Sequence, residues 1–231
     1  VFTAKPVARV DSDIKVTFVG HSTFLIQTGK LNILTDPVWA MRASPFQWIG
    51  PARVHKPGIE LRDLPQIDVV LVSHNHYDHM DLATLKILES HSPKVITGLG
   101  NEKLLKSEGL RDVTELTWWQ NVMHAGFTIT YVPAQHFSGR GLSDRNTTLW
   151  GGFVVRTPEQ KQIYFGGDTG YGPFTNEIFA RHGAMDLSLI PIGAYEPREF
   201  FKDMHNNPDD AVLTHLDLHS RQSIACHFCT F

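Results

Sequence analysis

IDVVLVSHNHYDHMD, Ile67 to Asp81, joins an apolar, β-branched run to a cluster of potential metal ligands. Val69 to Val72 reads as a buried strand. Directly after it come His74, His76, Asp78 and His79. On a helix, His74 and His76 would point roughly 200° apart, whereas extended backbone puts both on one side. The motif therefore belongs where a strand ends, ahead of a helix that opens near Asp81. A catalytic zinc takes four ligands and keeps one position open for water, so four local protein ligands on one ion would close the site. Two ions that share ligands from elsewhere in the chain fit better.

Those remaining ligands are expected just after other strands. His136 follows FTITYVPAQ, Asp168 follows IYFGG and His227 follows SIAC. A carboxylate suits a bridging place because it offers one oxygen to each of two ions about 3.5–4 Å apart. The glycines in FGGDTGYG let the backbone pass close to such a centre. Isolated histidines such as His55, His91, His124 and His182 read as surface or hydrogen-bonded residues instead.

Working outward, strands are expected over Ile14–Val19, Thr23–Gln27, Leu31–Leu34, Lys94–Thr97, Phe127–Val132, Gly151–Val155, Ile163–Phe165, Leu187–Ile192 and Ser223–Cys226. Helices are expected from Asp81, from Asn101 and from Asn207, where Pro208 suits the first turn. Thr28-Gly29-Lys30 reads as a hairpin turn. A hairpin-rich early part and a later strand–helix alternation predict an α/β fold of two packed mixed sheets covered by helices. The long irregular segment Pro37 to Pro65 is rich in aromatic residues, which marks it as functional rather than disordered.

With 231 residues the chain can bury a core without disulfides, and a net charge of -3 gives no general pull toward nucleic acid. No apolar run approaches the roughly 20 residues that span a bilayer. Cys226 and Cys229 are too few for a disulfide framework and lack the second pair of a structural zinc site.

The motif H-x-H-x-D-H, the lone His136, the Gly-Asp-Thr-Gly around Asp168 and the late His227 resemble the metallo-β-lactamase superfamily. FVGHSTFLIQ, ILTDPVWAMRASPFQWIGPAR, IPIGAYEPREF and SIACHFCTF narrow the resemblance to the branch of N-acyl-phosphatidylethanolamine-hydrolysing phospholipase D and its bacterial relatives. This resemblance implies an αββα sandwich over residues 1–231 as a single domain, truncated at its C-terminus because the family continues past this motif. It implies one zinc on His74, His76 and His136, a second on Asp78, His79 and His227, and Asp168 between them; Mn2+ or Fe2+ are the other metals considered. Asp36 matches a supporting aspartate, Gly20-His21-Ser22 a glycine-histidine segment of one branch, and His205 a histidine that lies over the centre. Where Cys229 stands, the branch has Gly.

Asp78 and His205 are the candidate catalytic residues, and the reaction implied is phosphodiester hydrolysis by water activated between two metals. A metal would stabilise the leaving alcohol, or His205 or water would protonate it. Implied partners are a phospholipid or other phosphodiester, a membrane surface met through the 37–65 loop, and a second copy of the chain, with no nucleic acid. The expected location is cytoplasmic, peripheral to the membrane. The aromatics of the 37–65 loop have an alternative reading as a small satellite core. The competing functions are a lactonase or other ester hydrolase, and a metal-loaded binding protein without activity.

Overall fold

The computed structural model describes residues 5–231. Two six-stranded sheets carry the fold, each with its strands in chain order. The first holds β1 (Lys15–Gly20), β2 (Thr23–Thr28), β3 (Leu31–Thr35), β4 (Val69–Val72), β5 (Lys94–Gly98) and β6 (Val113–Leu116). The second holds β7 (Asn121–His124), β8 (Phe127–Val132), β9 (Gly152–Arg156), β10 (Gln162–Phe165), β11 (Leu187–Pro191) and β12 (Ser223–Cys226). Both are mixed. Antiparallel pairs come first in each, and parallel pairs follow from β3 to β6 and from β10 to β12.

The turn between β2 and β3 has Gly29 at φ +53 and Lys30 at φ +65, the twist that matches flanking strands in a tight hairpin. The run VVLV is apolar throughout because both of its faces are covered. Val69 and Leu71 join the core between the sheets, beside Phe127, Phe153 and Phe165 of the second sheet. Val70 and Val72 point the other way, toward Leu85 and Leu88 of α1 (Leu82–Leu88) and Leu105 of α2 (Glu102–Ser107). On the far side, Val132, Val154 and Tyr164 pack against Phe174 and Ile178 of α3 (Phe174–His182). The layers therefore run helix, sheet, sheet, helix, as expected.

Asp81 caps α1 by accepting from the amides of Ala83 and Thr84. Asn207 and Asp210 form a capping box around Pro208 at the start of α5 (Pro208–Asp217). Four elements were not expected: β6, β7, α3 and the short α4 (Arg198–Phe201). In β7 only Val122 packs on the core, and α3 buries only Phe174, Thr175 and Ile178, so their apolar patterns are thin. The hairpin-rich part is also not confined to the start, because β7 to β10 form a second antiparallel run.

The 37–65 segment is pinned by a bridge between Arg42 and Ala52 and divides into two parts. Trp39 packs on the outer core of the first sheet and its indole N–H donates to the Ile59 carbonyl at 2.9 Å, so it follows the satellite-core reading. Met41, Phe46, Trp48 and Ile49 are exposed, Trp48 by 74%. Among the described residues no helix is long and apolar enough to cross a membrane.

Candidate metal centre

Chain order and sheet order bring the candidate residues to one edge. Asp36 follows β3, His74 follows β4, His136 follows β8, Asp168 follows β10 and His227 follows β12. At His76 the chain turns: its carbonyl accepts from His79 N at 3.1 Å and Met80 N at 2.8 Å, which swings Asp78 and His79 round. Arg140 Nη1 donates to the carbonyls of Asn75 and Met80, each at 2.8 Å, and clamps this turn. Gly167 lies at φ +59, and a Cβ there would sit 2.5 Å from Ser73 Cβ. Only glycine lets the Asp168 backbone pass so close to the histidine loop.

Ring nitrogens of His74, His76 and His136 converge. His74 Nε2 lies 2.8 Å and His136 Nε2 3.3 Å from His76 Nδ1. The outer nitrogens fix the tautomers. His136 Nδ1–H donates to the Met204 carbonyl at 3.0 Å, and His74 Nδ1 lies 2.9 Å from Ser73 Oγ, whose own proton goes to Asp36 Oδ2 at 2.6 Å. Nε2 of His74 and His136 therefore faces inward as a lone pair. Burial lowers His76 to about 4 and His136 to about 3, so both rings are neutral at neutral pH, each with one nitrogen free to accept. Three ring nitrogens that converge in this way, two of them inward-facing lone pairs, suit a shared cation.

A second group surrounds Asp78. Its Oδ2 lies 2.9 Å from His21 Nε2, 3.4 Å from His227 Nε2 and 3.5 Å from His79 Nε2. Asp168 joins the groups, its Oδ2 standing 3.0 Å from His227 Nε2, 3.2 Å from His79 Nε2 and 3.7 Å from His136 Nε2. His205 stands beside them, buried, with Nδ1 3.9 Å from Asp168 Oδ2. Burial would raise both carboxylates, yet His79 beside Asp78, and His227 and His79 beside Asp168, hold them well below the usual range. At His227 burial opposes protonation, but the Asp168 charge and the close approach of the Asp168 and Asp78 carboxylates together outweigh it and raise the ring to about 9. Metal binding at such a cluster displaces protons from the rings while the carboxylates keep their charge.

His79 Nε2, His227 Nε2 and Asp168 Oδ1 are all buried with no hydrogen-bond partner. Donors that lack partners, aimed at one shared space, fit a metal ion, and this His/Asp cluster can bind divalent metals. The structure brings His74, His76, Asp78, His79, His136, Asp168, His205 and His227 together at one edge. It leaves His55, His91, His124 and His182 outside. Three participants carry roles that the sequence did not reveal: His21 beside Asp78, Ser73 between Asp36 and His74, and Arg140 on the turn.

A family model described as the beta-lactamase superfamily domain matches residues 31–228. The chain belongs to the metallo-β-lactamase superfamily. This superfamily member is 41% identical over 233 residues to N-acyl-phosphatidylethanolamine-hydrolyzing phospholipase D 1 of Caenorhabditis elegans, a match covering 96% of this chain and 65% of that protein. It is 32% identical over 228 residues to the mitochondrial N-acyl-phosphatidylethanolamine-hydrolyzing phospholipase D of Saccharomyces cerevisiae, covering 93% of this chain and 47% of that protein. The chain thus spans less than two thirds of the length of these curated relatives. Its fold is similar to that of Igni18, a metallo hydrolase from the archaeon Ignicoccus hospitalis, with a TM-score of 0.71, 23% identity and coverage of 94% of this chain and 84% of that one.

Proposed function

We propose that this metallo-hydrolase is a binuclear zinc phosphodiesterase of phospholipase D type, acting on N-acyl-phosphatidylethanolamine or a related phospholipid. The observation that carries the proposal is the pair of donor groups on either side of Asp168, in a chain 41% identical to an enzyme named for that substrate. His74, His76 and His136 would hold one ion, Asp78, His79 and His227 the other, with Asp168 between. Two such ions lower the pKa of bound water and offset the charge that builds on phosphoryl oxygens.

The protein's own groups do the positioning. Asp36 and Ser73 hold the rings of His79 and His74 in the tautomers that face the substrate space. The side chain of Asp78 is 24% exposed against 2% for Asp168, so Asp78 is the carboxylate placed to reach the attacking water. His205 lines the same space from α4's end and hydrogen-bonds the leaving oxygen. For this cut the products are phosphatidic acid and an N-acylethanolamine.

The 37–65 loop supports a lipid surface as partner. Met41, Phe46, Trp48 and Ile49 are exposed, and the same stretch, Pro37 to Ile59, has half-buried Arg42 and exposed Lys56 and no acidic residue, whereas Arg53 is buried on the carbonyls of Val38 and Ala40. Aromatic and basic side chains in this combination suit a membrane interface with anionic head groups. Ala43 and Pro51 of the same loop line a cavity of about 310 Å³ that also meets His21, Asp78 and His227. A lipid held at the loop would therefore be delivered beside the cluster.

The test is hydrolysis by the zinc-loaded protein of N-acylated phosphatidylethanolamine, phosphatidylcholine, bis-p-nitrophenyl phosphate and a panel of lactones. Turnover of the phosphodiesters supports the reading. Activity confined to lactones would replace it with a lactonase, and no activity at all with a metal-loaded binding protein.

A further inference from the structure

We infer that His21 is a positioning residue that sets the Asp78 carboxylate for the second metal ion. The inference rests on the two-ion reading above. His21 stands in the turn between β1 and β2, at φ +57. Its ring is wedged 4.1 Å from the His227 ring and 5.3 Å from the His79 ring, with Phe231 edge-on at 5.1 Å. Its peptide ties the two sheets: the carbonyl accepts from His227 N at 3.0 Å, and the amide donates to Thr230 Oγ1 at 3.1 Å. One residue of the first sheet thus fixes the backbone of a ligand that follows the last strand of the second.

Distance alone would let His21 be a ligand, because its ring nitrogen lies within 4.8 Å of donors on Asp78, His79 and His227. The hydrogen-bond partners separate the roles. His79 Nε2 and His227 Nε2 approach both Asp78 and Asp168, within 3.5 Å, and have no hydrogen-bond partner. They face a missing group. His21 Nε2 meets only Asp78, at 2.9 Å in hydrogen-bonding geometry, so this nitrogen already has its partner, while Nδ1 on the other side of the ring is buried without one. It lies behind Asp78, donating Nε2–H to Oδ2, and leaves the second lone pair of that oxygen free to point at the space shared with His79 and His227. Outer partners of this kind fix where a ligand points and how tightly the metal is held.

The test is zinc titration of the dialysed protein against a chromophoric chelator, for the wild type, His21→Ala and His21→Gln, with thermal melts of the metal-free forms as a check on folding. Gln supplies an amide N–H to Asp78 but does not replace imidazole as a zinc ligand. The wild type should take two equivalents. His21→Ala should keep the first at unchanged affinity and bind the second about 10- to 100-fold more weakly. His21→Gln should regain most of that loss. Equal weakening in both variants would make His21 a ligand and overturn the inference, as would unchanged zinc affinity in His21→Ala. A wild-type titration that stops at one equivalent would instead remove the two-ion reading itself, and the role of His21 with it.

Discussion

The carboxylate of Asp36 lies 2.6 Å from Nδ1 of His79, and neither side chain reaches solvent. The same oxygen accepts from Ser73 Oγ at 2.6 Å, and Ser73 in turn meets His74 Nδ1 at 2.9 Å. One buried carboxylate thus sets a ring in each donor group. Replacing Asp36 by Ala should weaken zinc binding about 10- to 100-fold. It should also lower the stability of the metal-free protein by about 1–3 kcal/mol, because the His79 N–H and Ser73 lose their acceptor. Chelator competition and urea unfolding of the variant check the two effects separately.

Asp168→Asn tests the joining carboxylate. Asn keeps the shape but cannot offer an anionic oxygen to two ions. Hydrolysis of bis-p-nitrophenyl phosphate at saturating zinc should fall at least about a hundredfold, with the circular dichroism spectrum unchanged. Equal turnover would remove Asp168 from the place between the ions.

The two cysteines should react differently. Burial pushes the Cys226 thiol well above its ordinary range, whereas Cys229 is exposed and lines the cavity that holds His21, Asp78 and His227. Iodoacetamide should modify Cys229 alone in the folded protein, as peptide mass mapping would show. Cys229 lies at φ +51, a left-handed conformation that costs a non-glycine residue roughly 1–2 kcal/mol. Cys229→Gly, the residue of the similar branch, should raise the unfolding midpoint in urea.

A double change of Phe46 and Trp48 to Ser should leave stability within about 0.5 kcal/mol, because both rings already face solvent. Binding to vesicles containing phosphatidylserine should weaken at the same time. Co-sedimentation of both proteins measures it, and equal binding would remove the loop from the lipid surface.

Much of this arrangement is legible in local pattern. VVLV before SHNHYDHMD, and the apolar runs before His136, Asp168 and His227, mark strand ends because strand period and burial are local properties. Asp81 and Asn207 announce their helices for the same reason. What stays hidden depends on packing. His21 meets Asp78 across 57 positions, and Arg140 reaches Asn75 across 65; nothing near either residue signals its partner. Helix α3 and strand β7 escape notice because each buries too few apolar side chains to set up a period. The aromatic loop shows the limit from the other side, since composition alone does not separate half-buried Trp39 from exposed Trp48.

The proposed reaction is attack of water on phosphorus at this cluster. Hydrolysis of N-acyl-phosphatidylethanolamine in ¹⁸O-water, with mass analysis of both products, tests it most directly. One ¹⁸O in the phosphatidic acid and none in the N-acylethanolamine is the predicted result. Label in the N-acylethanolamine, or no turnover by the zinc-loaded protein, would contradict it.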